Sequence, residues 1–270
     1  LALSKAKKDS IKRALSKQKT KQNKGTGVDV PVALELYYFR ELNRLVRTMT
    51  NAVNSHITPL LNPAVLQDAK DPFIDAVDKL QRRMQFLRLA EEVATDVVNK
   101  GDKFNRTVFI RNIKKDMGVD VSNILTDKGL KKLLDKRIKE NVDLIKTIPK
   151  EYFARVRVAI KQGRKADDTA FSIRKDLKQI GKITQNRAKL IARDQVSKTN
   201  AALNEFRQQD IGVTEYTWRT SGDERVREDH RANNGRKFRW DKPPSKTGHP
   251  GHDVQCRCTA DPDFSYLKRL

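Results

Sequence analysis

Between Pro31 and Gln209, apolar side chains recur every three or four positions, with charged residues filling the intervals. Leu34, Tyr38, Leu42, Leu45 and Met49 share one side of a helix, because 3.6 residues per turn stacks such positions. Thr58-Pro59 and Asn62-Pro63 interrupt the pattern, since proline has no amide proton and restricts its predecessor. After Pro72, the spacing of Ile74, Val77, Leu80, Met84 and Leu87 predicts a longer helix, closed by Asn99-Lys100-Gly101. Asp127 to Glu140 predicts a short helix, and Tyr152 to Gln162 another, introduced by Pro149. Polar residues from Gly163 to Asp168 read as a hinge. Phe171 to Ile180 predicts a helix ending at Gly181. Thr184 then reads as the N-cap of a long basic helix whose buried stripe is Ala188, Ile191, Ala192, Val196, Thr199, Leu203 and Phe206.

The texture changes after Gly212. Val213 to Thr220 alternates and is rich in β-branched and aromatic residues, which predicts a strand. Ser221-Gly222 leads to a short polar helix, a Pro-Pro turn and a loop dense in Gly, His and Cys. The fold class expected is mainly α: an elongated helical body with a small irregular α+β C-terminal domain. The chain reads as a basic N-terminal arm (1–28), a helical body (29–165), a helical linker (166–211) and a C-terminal end (212–270).

Charge adds a partner class. The 270 residues carry 57 Lys+Arg against 34 Asp+Glu, a formal net charge of +23. The arm holds nine of the basic groups (Lys5, Lys7, Lys8, Lys12, Arg13, Lys17, Lys19, Lys21 and Lys24) and one acid, Asp9. Such an arm neutralises phosphates without reading bases. The competing reading is a solvated tail that keeps the protein soluble. A third use, docking on a partner, follows from the weak helical spacing of Leu3, Ile11 and Leu15. Because the positive excess continues beyond residue 28, nucleic acid is the expected neighbour. No apolar run approaches the ~18 residues of a membrane span. Two cysteines, both in Cys256-Arg257-Cys258, exclude a secreted disulfide scaffold.

The chain has four histidines and two cysteines, and five of the six fall between residues 230 and 258: His230, His249, His252, Cys256 and Cys258. Imidazole and thiolate are the donors zinc prefers, and four of them around one ion can replace the core that a loop-rich segment lacks. The alternative is that the thiols are small buried hydrophobes and the histidines cap turns. A disulfide between residues two apart would be strained. Asp229-His230 with Asn233-Asn234, His249 and His252 also suggests an HNH-type nuclease, in which a histidine activates water beside a metal. Such sites separate the asparagine from both histidines, and here it follows His230 by three or four residues, which argues against that reading. Walker A, Gly-x-Ser-x-Gly, His-Glu-x-x-His and dinucleotide fingerprints are absent.

The run from Tyr216 to His230 (YTWRTSGDERVREDH), followed by Asn234-Gly235, Pro250-Gly251 and Cys256-Arg257-Cys258, resembles the phage head morphogenesis family. These are minor head proteins of tailed phages similar to protein F of phage Mu. The family pattern is roughly Trp-x-Thr-x-x-Asp-x-x-Val-Arg-x-x-His, a Gly-containing turn, Pro-Gly and a closing Cys-Arg-Cys, and each element is met in order. The preceding helix from Arg187 to Gln195 and the stretch Asp143 to Pro149 extend the resemblance to about residues 140–260. The resemblance implies a structural, non-enzymatic virion protein in the capsid interior or at the portal vertex, present in the host cytoplasm during assembly. Its partners would be the portal protein, neighbouring head proteins and packaged double-stranded DNA.

Within this segment, Trp218 is expected to anchor the small end. Asp223, Arg227 and His230, at i, i+4 and i+7, predict an Asp223–Arg227 pair that leaves His230 free to ligate or hydrogen-bond. Arg257 is expected to pair with Asp223 or Asp253, or to stabilise thiolate charge.

Overall fold

In a computed structural model, residues 5–16, 31–61, 72–83, 86–126, 128–166 and 168–264 are described. Among them the chain is mainly α. It forms α1 (Lys5–Ser16), α2 (Val32–His56), α3 (Pro72–Arg83), α4 (Phe86–Met117), α5 (Leu130–Lys165), α6 (Ala170–Asp210) and the short α7 (Glu228–Asn233). Three strands, β1 (Glu215–Arg219), β2 (Lys237–Arg239) and β3 (Thr259–Pro262), complete a small α+β C-terminal region. The expected fold class, mainly α with a small α+β C-terminal region, therefore holds. Asn62-Pro63, Met84, Asp127 and the side chains of Leu3, Ile11, Leu15 and Leu87 lie outside the described residues.

The expected helix faces are largely present, but three expected boundaries are not. α4 runs through Asn99-Lys100-Gly101 to Met117, because Val97, Val98, Val108 and Phe109 are buried on both sides of the glycine. On α3 it is Phe73 and Val77 that are buried, with Ile74 and Leu80 only partly covered. The two short helices expected around Pro149 are one helix, α5, with the proline inside it. A mid-helix proline costs about 3 kcal/mol. Buried Ile145, Ile148 and Phe153 flank it and contribute roughly 2 kcal/mol each, so the helix survives. Gly163 accordingly lies inside α5, and the turn follows Lys165. Likewise α6 continues through Gly181 and Thr184. The Thr184 hydroxyl donates back to the Ile180 carbonyl at 2.8 Å rather than capping a new helix. Of the expected α6 stripe, all but Phe206 is buried.

The chain divides into two compact units. One comprises residues 35–96 and 138–193. Its core includes Tyr38, Leu42 and Met49 of α2, Ile145 and Phe153 of α5, and Ile173 and Leu177 of α6. Inside it, Tyr38 donates its hydroxyl to Asn141 Oδ1 at 2.9 Å.

The other unit comprises residues 1–34, 97–137 and 194–270 and contains the entire sheet. Its first apolar cluster joins the end of α4 (Phe109, Ile113, Met117) to Val119, Val121, Ile124, Leu125, Ile211 and Val213. A polar layer lies between α4 and α6: the fully buried Arg207 donates to Asp102 and Asn105, and Asn105 donates to Asn200 and Asn204. Such a layer is tolerated because most of its buried polar atoms pair with one another. The sheet is antiparallel with order β2-β1-β3. Trp218 pairs with Ala260, and Tyr216 sits between Phe238 and Pro262. Alternation puts Tyr216 and Trp218 on one face. There they form a second cluster with Trp240, Cys256, Cys258 and Ala260.

Candidate functional site

The C-terminal loops are tied to α6 before they converge on the His/Cys residues. Gln208, fully buried at the end of α6, donates to the Ala260 carbonyl at 2.9 Å and accepts from Trp240 Nε1 at 3.2 Å. Asp194 accepts the Gln255 amide at 2.7 Å, holding a residue whose φ is +60°. Gly251, at φ +85°, lies so close to α6 that a Cβ there would stand 2.4 Å from Ala201 Cβ. That contact is the physical reason for the Pro-Gly dipeptide: any side chain would lift the loop from the helix.

At the centre, one ligand atom each from His230, Cys256 and Cys258 lies within 4.8 Å of the others, and all three residues are buried. His230 Nδ1 is 3.4 Å from Cys258 Sγ and 3.4 Å from Cys256 Sγ. Its Nε2 is 2.8 Å from Asp253 Oδ2, on the opposite edge of the ring. The amides of Gly251 and Cys258 donate to Cys256 Sγ, each at 3.4 Å. The Cys258 thiol donates to Cys256; this outweighs burial and, with those amides and His230, holds Cys256 down at about 6. Cys258 is pushed up by retaining the shared proton and by burial. Trp218 stands edge-on to His230, ring centroids 5.4 Å apart. Its buried indole N–H meets no acceptor at ordinary geometry, although it is near enough to Cys258 to favour the thiolate. A cavity of about 10 Å³ adjoins both thiols and is lined also by Ser197, Asn200 and Asn204.

The other two histidines stand elsewhere. His249 is buried with both nitrogens engaged: Nδ1 is 2.8 Å from the Tyr216 hydroxyl and Nε2 is 3.1 Å from the Trp240 carbonyl. Burial lowers its pKa, and His252 adds to that effect while Glu205 opposes it. His252 is half exposed, with Nε2 3.7 Å from Glu205. The asparagines of the nuclease reading serve the loops. Asn233 donates to Thr247 at 3.1 Å, and Asn234 accepts the Thr220 amide at 3.0 Å.

The expected Asp223–Arg227 pair is not formed. α7 begins only at Glu228, so the two residues do not share a helix. Asp223 instead accepts from Arg257 and from the Arg225 amide at 3.1 Å. Desolvation would raise the Asp223 pKa, but Arg257 and the Arg225 amide outweigh it and hold the carboxyl below its usual range. Arg227 donates to the Val254 carbonyl at 2.7 Å and stands 3.7 Å from Asp253. Trp218 is fully buried, as an anchor requires. The sequence marks Asp253 only as a possible partner of Arg257, not of His230, and does not mark Asp194 or Gln208, since nothing local identifies a residue whose partner lies far along the chain.

Of the arm residues, Lys5 and Lys12 are exposed and Lys8 is half-buried. Exposed Arg13 donates Nε to the Asp9 carbonyl at 3.4 Å. Lys7 is committed: its Nζ donates to the Asp210 carbonyl at 2.6 Å and to Asp210 Oδ1 at 2.7 Å. Lys17, Lys19, Lys21 and Lys24 lie outside the described residues.

These parts (strand with Trp218, turn, His230, Pro-Gly, Cys-Arg-Cys) all fall within the stretch that the comparisons match. Residues 153–261 match the family model described as Phage Mu protein F like protein. This Mu F-like region contains β1, β2, α7, all of β3 but its last residue, and the whole His/Cys centre. The chain is also 32% identical over 264 residues to an uncharacterized protein of Haemophilus influenzae, covering 94% of this chain and 58% of that relative. It thus spans under two thirds of the relative's length. No solved structure matches at a significant level.

Proposed function

We propose that this is a structural head morphogenesis protein of a tailed phage, acting at the portal vertex or capsid interior to assist head assembly and DNA packaging or ejection. The observation that carries the reading is the Mu F-like match over residues 153–261, which coincides with a densely cross-tied C-terminal end. The geometry favours a scaffolding role over catalysis. The cavity beside the thiols, about 10 Å³, is far below the ~300 Å³ typical of a small-molecule site. Both nitrogens of His249 are spent on protein partners, and His230 is held between sulfur and Asp253. A histidine that activates water for phosphodiester attack needs a nitrogen open to substrate.

The net charge of +23 suits a protein that lies against packaged DNA through phosphate contacts, without base preference. None of the helices among the described residues is long and apolar enough to cross a membrane.

Co-expression with the portal protein of the same phage, followed by sizing at moderate salt, tests the reading. Co-elution with the portal ring is expected. Elution of the two proteins apart, together with metal-dependent cutting of plasmid DNA that His230→Ala abolishes, would replace this reading with a nuclease.

A further inference from the structure

Both nitrogen–sulfur separations in the buried centre are close to the spacing a metal ion imposes, and all three donor atoms lie within 4.8 Å of one another. A tetrahedral zinc with Zn–S near 2.3 Å and Zn–N near 2.0–2.1 Å separates nitrogen from sulfur by about 3.6 Å. His230 Nδ1 lies 3.4 Å from each of the two sulfurs. The ring presents Nδ1 because Asp253 holds Nε2 from the far side at 2.8 Å. That carboxylate–imidazole pairing fixes ring orientation and increases donor strength at metal sites. Cys256 Sγ also receives two backbone N–H groups, from Gly251 and Cys258, a setting that favours a charged sulfur over a neutral one.

We propose that His230 Nδ1, Cys256 Sγ and Cys258 Sγ hold one zinc ion as a structural staple, with Asp253 orienting the imidazole and one water completing the shell. Two thiolates and an imidazole select zinc over the oxygen-seeking cations. The cavity beside the thiols, about 10 Å³ with Asn200 and Asn204 in its wall, is at the size of a single water and admits no substrate. His249 is not a ligand, because both its nitrogens are already engaged, and His252 is turned towards Glu205. The ion joins α7 to the closing loop, two segments separated by more than twenty residues, where cross-links must substitute for a large apolar core.

Metal analysis of the full chain, purified without chelators, is expected to find one zinc per chain. Replacement by cobalt is expected to give a thiolate-to-metal charge-transfer band and the intense visible bands of a tetrahedral site. His252→Gln should keep the full stoichiometry. Asp253→Asn should keep it too, with affinity weakened about 10- to 100-fold in competition with a chelator. Cys258→Ser should lose the ion; should that variant fail to fold, the cobalt spectrum of the unaltered chain decides alone. A metal-free protein without cobalt bands would overturn the proposal. So would an octahedral cobalt spectrum, or loss of the ion in His252→Gln. The outcome is independent of portal co-elution, so failure of either leaves the other standing.

Discussion

The Tyr216–His249 pair shows how much of the C-terminal end rests on single polar contacts. Neutral His249 donates from Nε2 to the Trp240 carbonyl and so accepts the Tyr216 hydroxyl proton at Nδ1. Tyr216→Phe leaves that nitrogen buried and unpaired, at a cost of about 1–3 kcal/mol. We expect a fall of that size in urea unfolding of the Mu F-like region; unchanged stability would show that the hydroxyl contributes nothing. The pH dependence has a definite sign. Burial sets the folded His249 pKa below its ordinary value, so its contribution is complete above about 6.5 and declines as pH falls below that. At this scale the sequence was readable by residue type but not by partner. Imidazole and thiol marked five residues, of which His230, Cys256 and Cys258 converge, whereas Asp253's hold on His230 spans 23 positions and Gln255's on Asp194 spans 61. No local pattern encodes such pairs.

Among the elements, faces were more legible than ends. The stripes of α2 and α6 follow from periodicity, because burial on one side is a property of the helix itself. The ends depend on what packs nearby. Pro149 and Gly181 are strong breakers in isolation, yet buried neighbours on both sides carry α5 and α6 through them. The buried polar layer of Asn105, Asn200, Asn204 and Arg207 was invisible for the opposite reason, since in sequence it resembles a solvated face. α1 supplies the test. Its Lys7 donates to Asp210, whose carboxyl also accepts the Thr126 amide at 2.8 Å. Desolvation works against the charged carboxylate, but Lys7 and Thr126 outweigh it, and the Asp210 pKa lies below its ordinary value. Docking of α1 is therefore complete above the unfolded carboxylate range, near 3.9, and lost only as pH falls through the lower folded value. Lys7→Ala should reduce amide-exchange protection in residues 5–16 at neutral pH and leave β1 unaffected. Protection that persists in the variant would mean that other contacts hold the helix.

At the scale of the whole molecule, a mainly helical chain of net charge +23 carries a Mu F-like region whose centre is buried and cross-tied. The fold class was open to sequence reasoning because a helical period dominates to Gln209 and a strand pattern begins only at Val213. The resemblance to Mu F-like proteins was legible through spaced landmarks: Trp218, His230, Pro250-Gly251 and Cys256-Arg257-Cys258. In the structure Trp218 is packed in the sheet's apolar cluster, Gly251 lies against α6, and His230 meets both thiols. The proposal that the chain is a built-in part of a phage head is checked by quantitative mass spectrometry of purified, nuclease-treated phage particles. The chain is expected at a fixed low ratio to the portal protein in DNA-filled heads. Its absence from particles, with the protein confined to the soluble lysate, would refute the proposal.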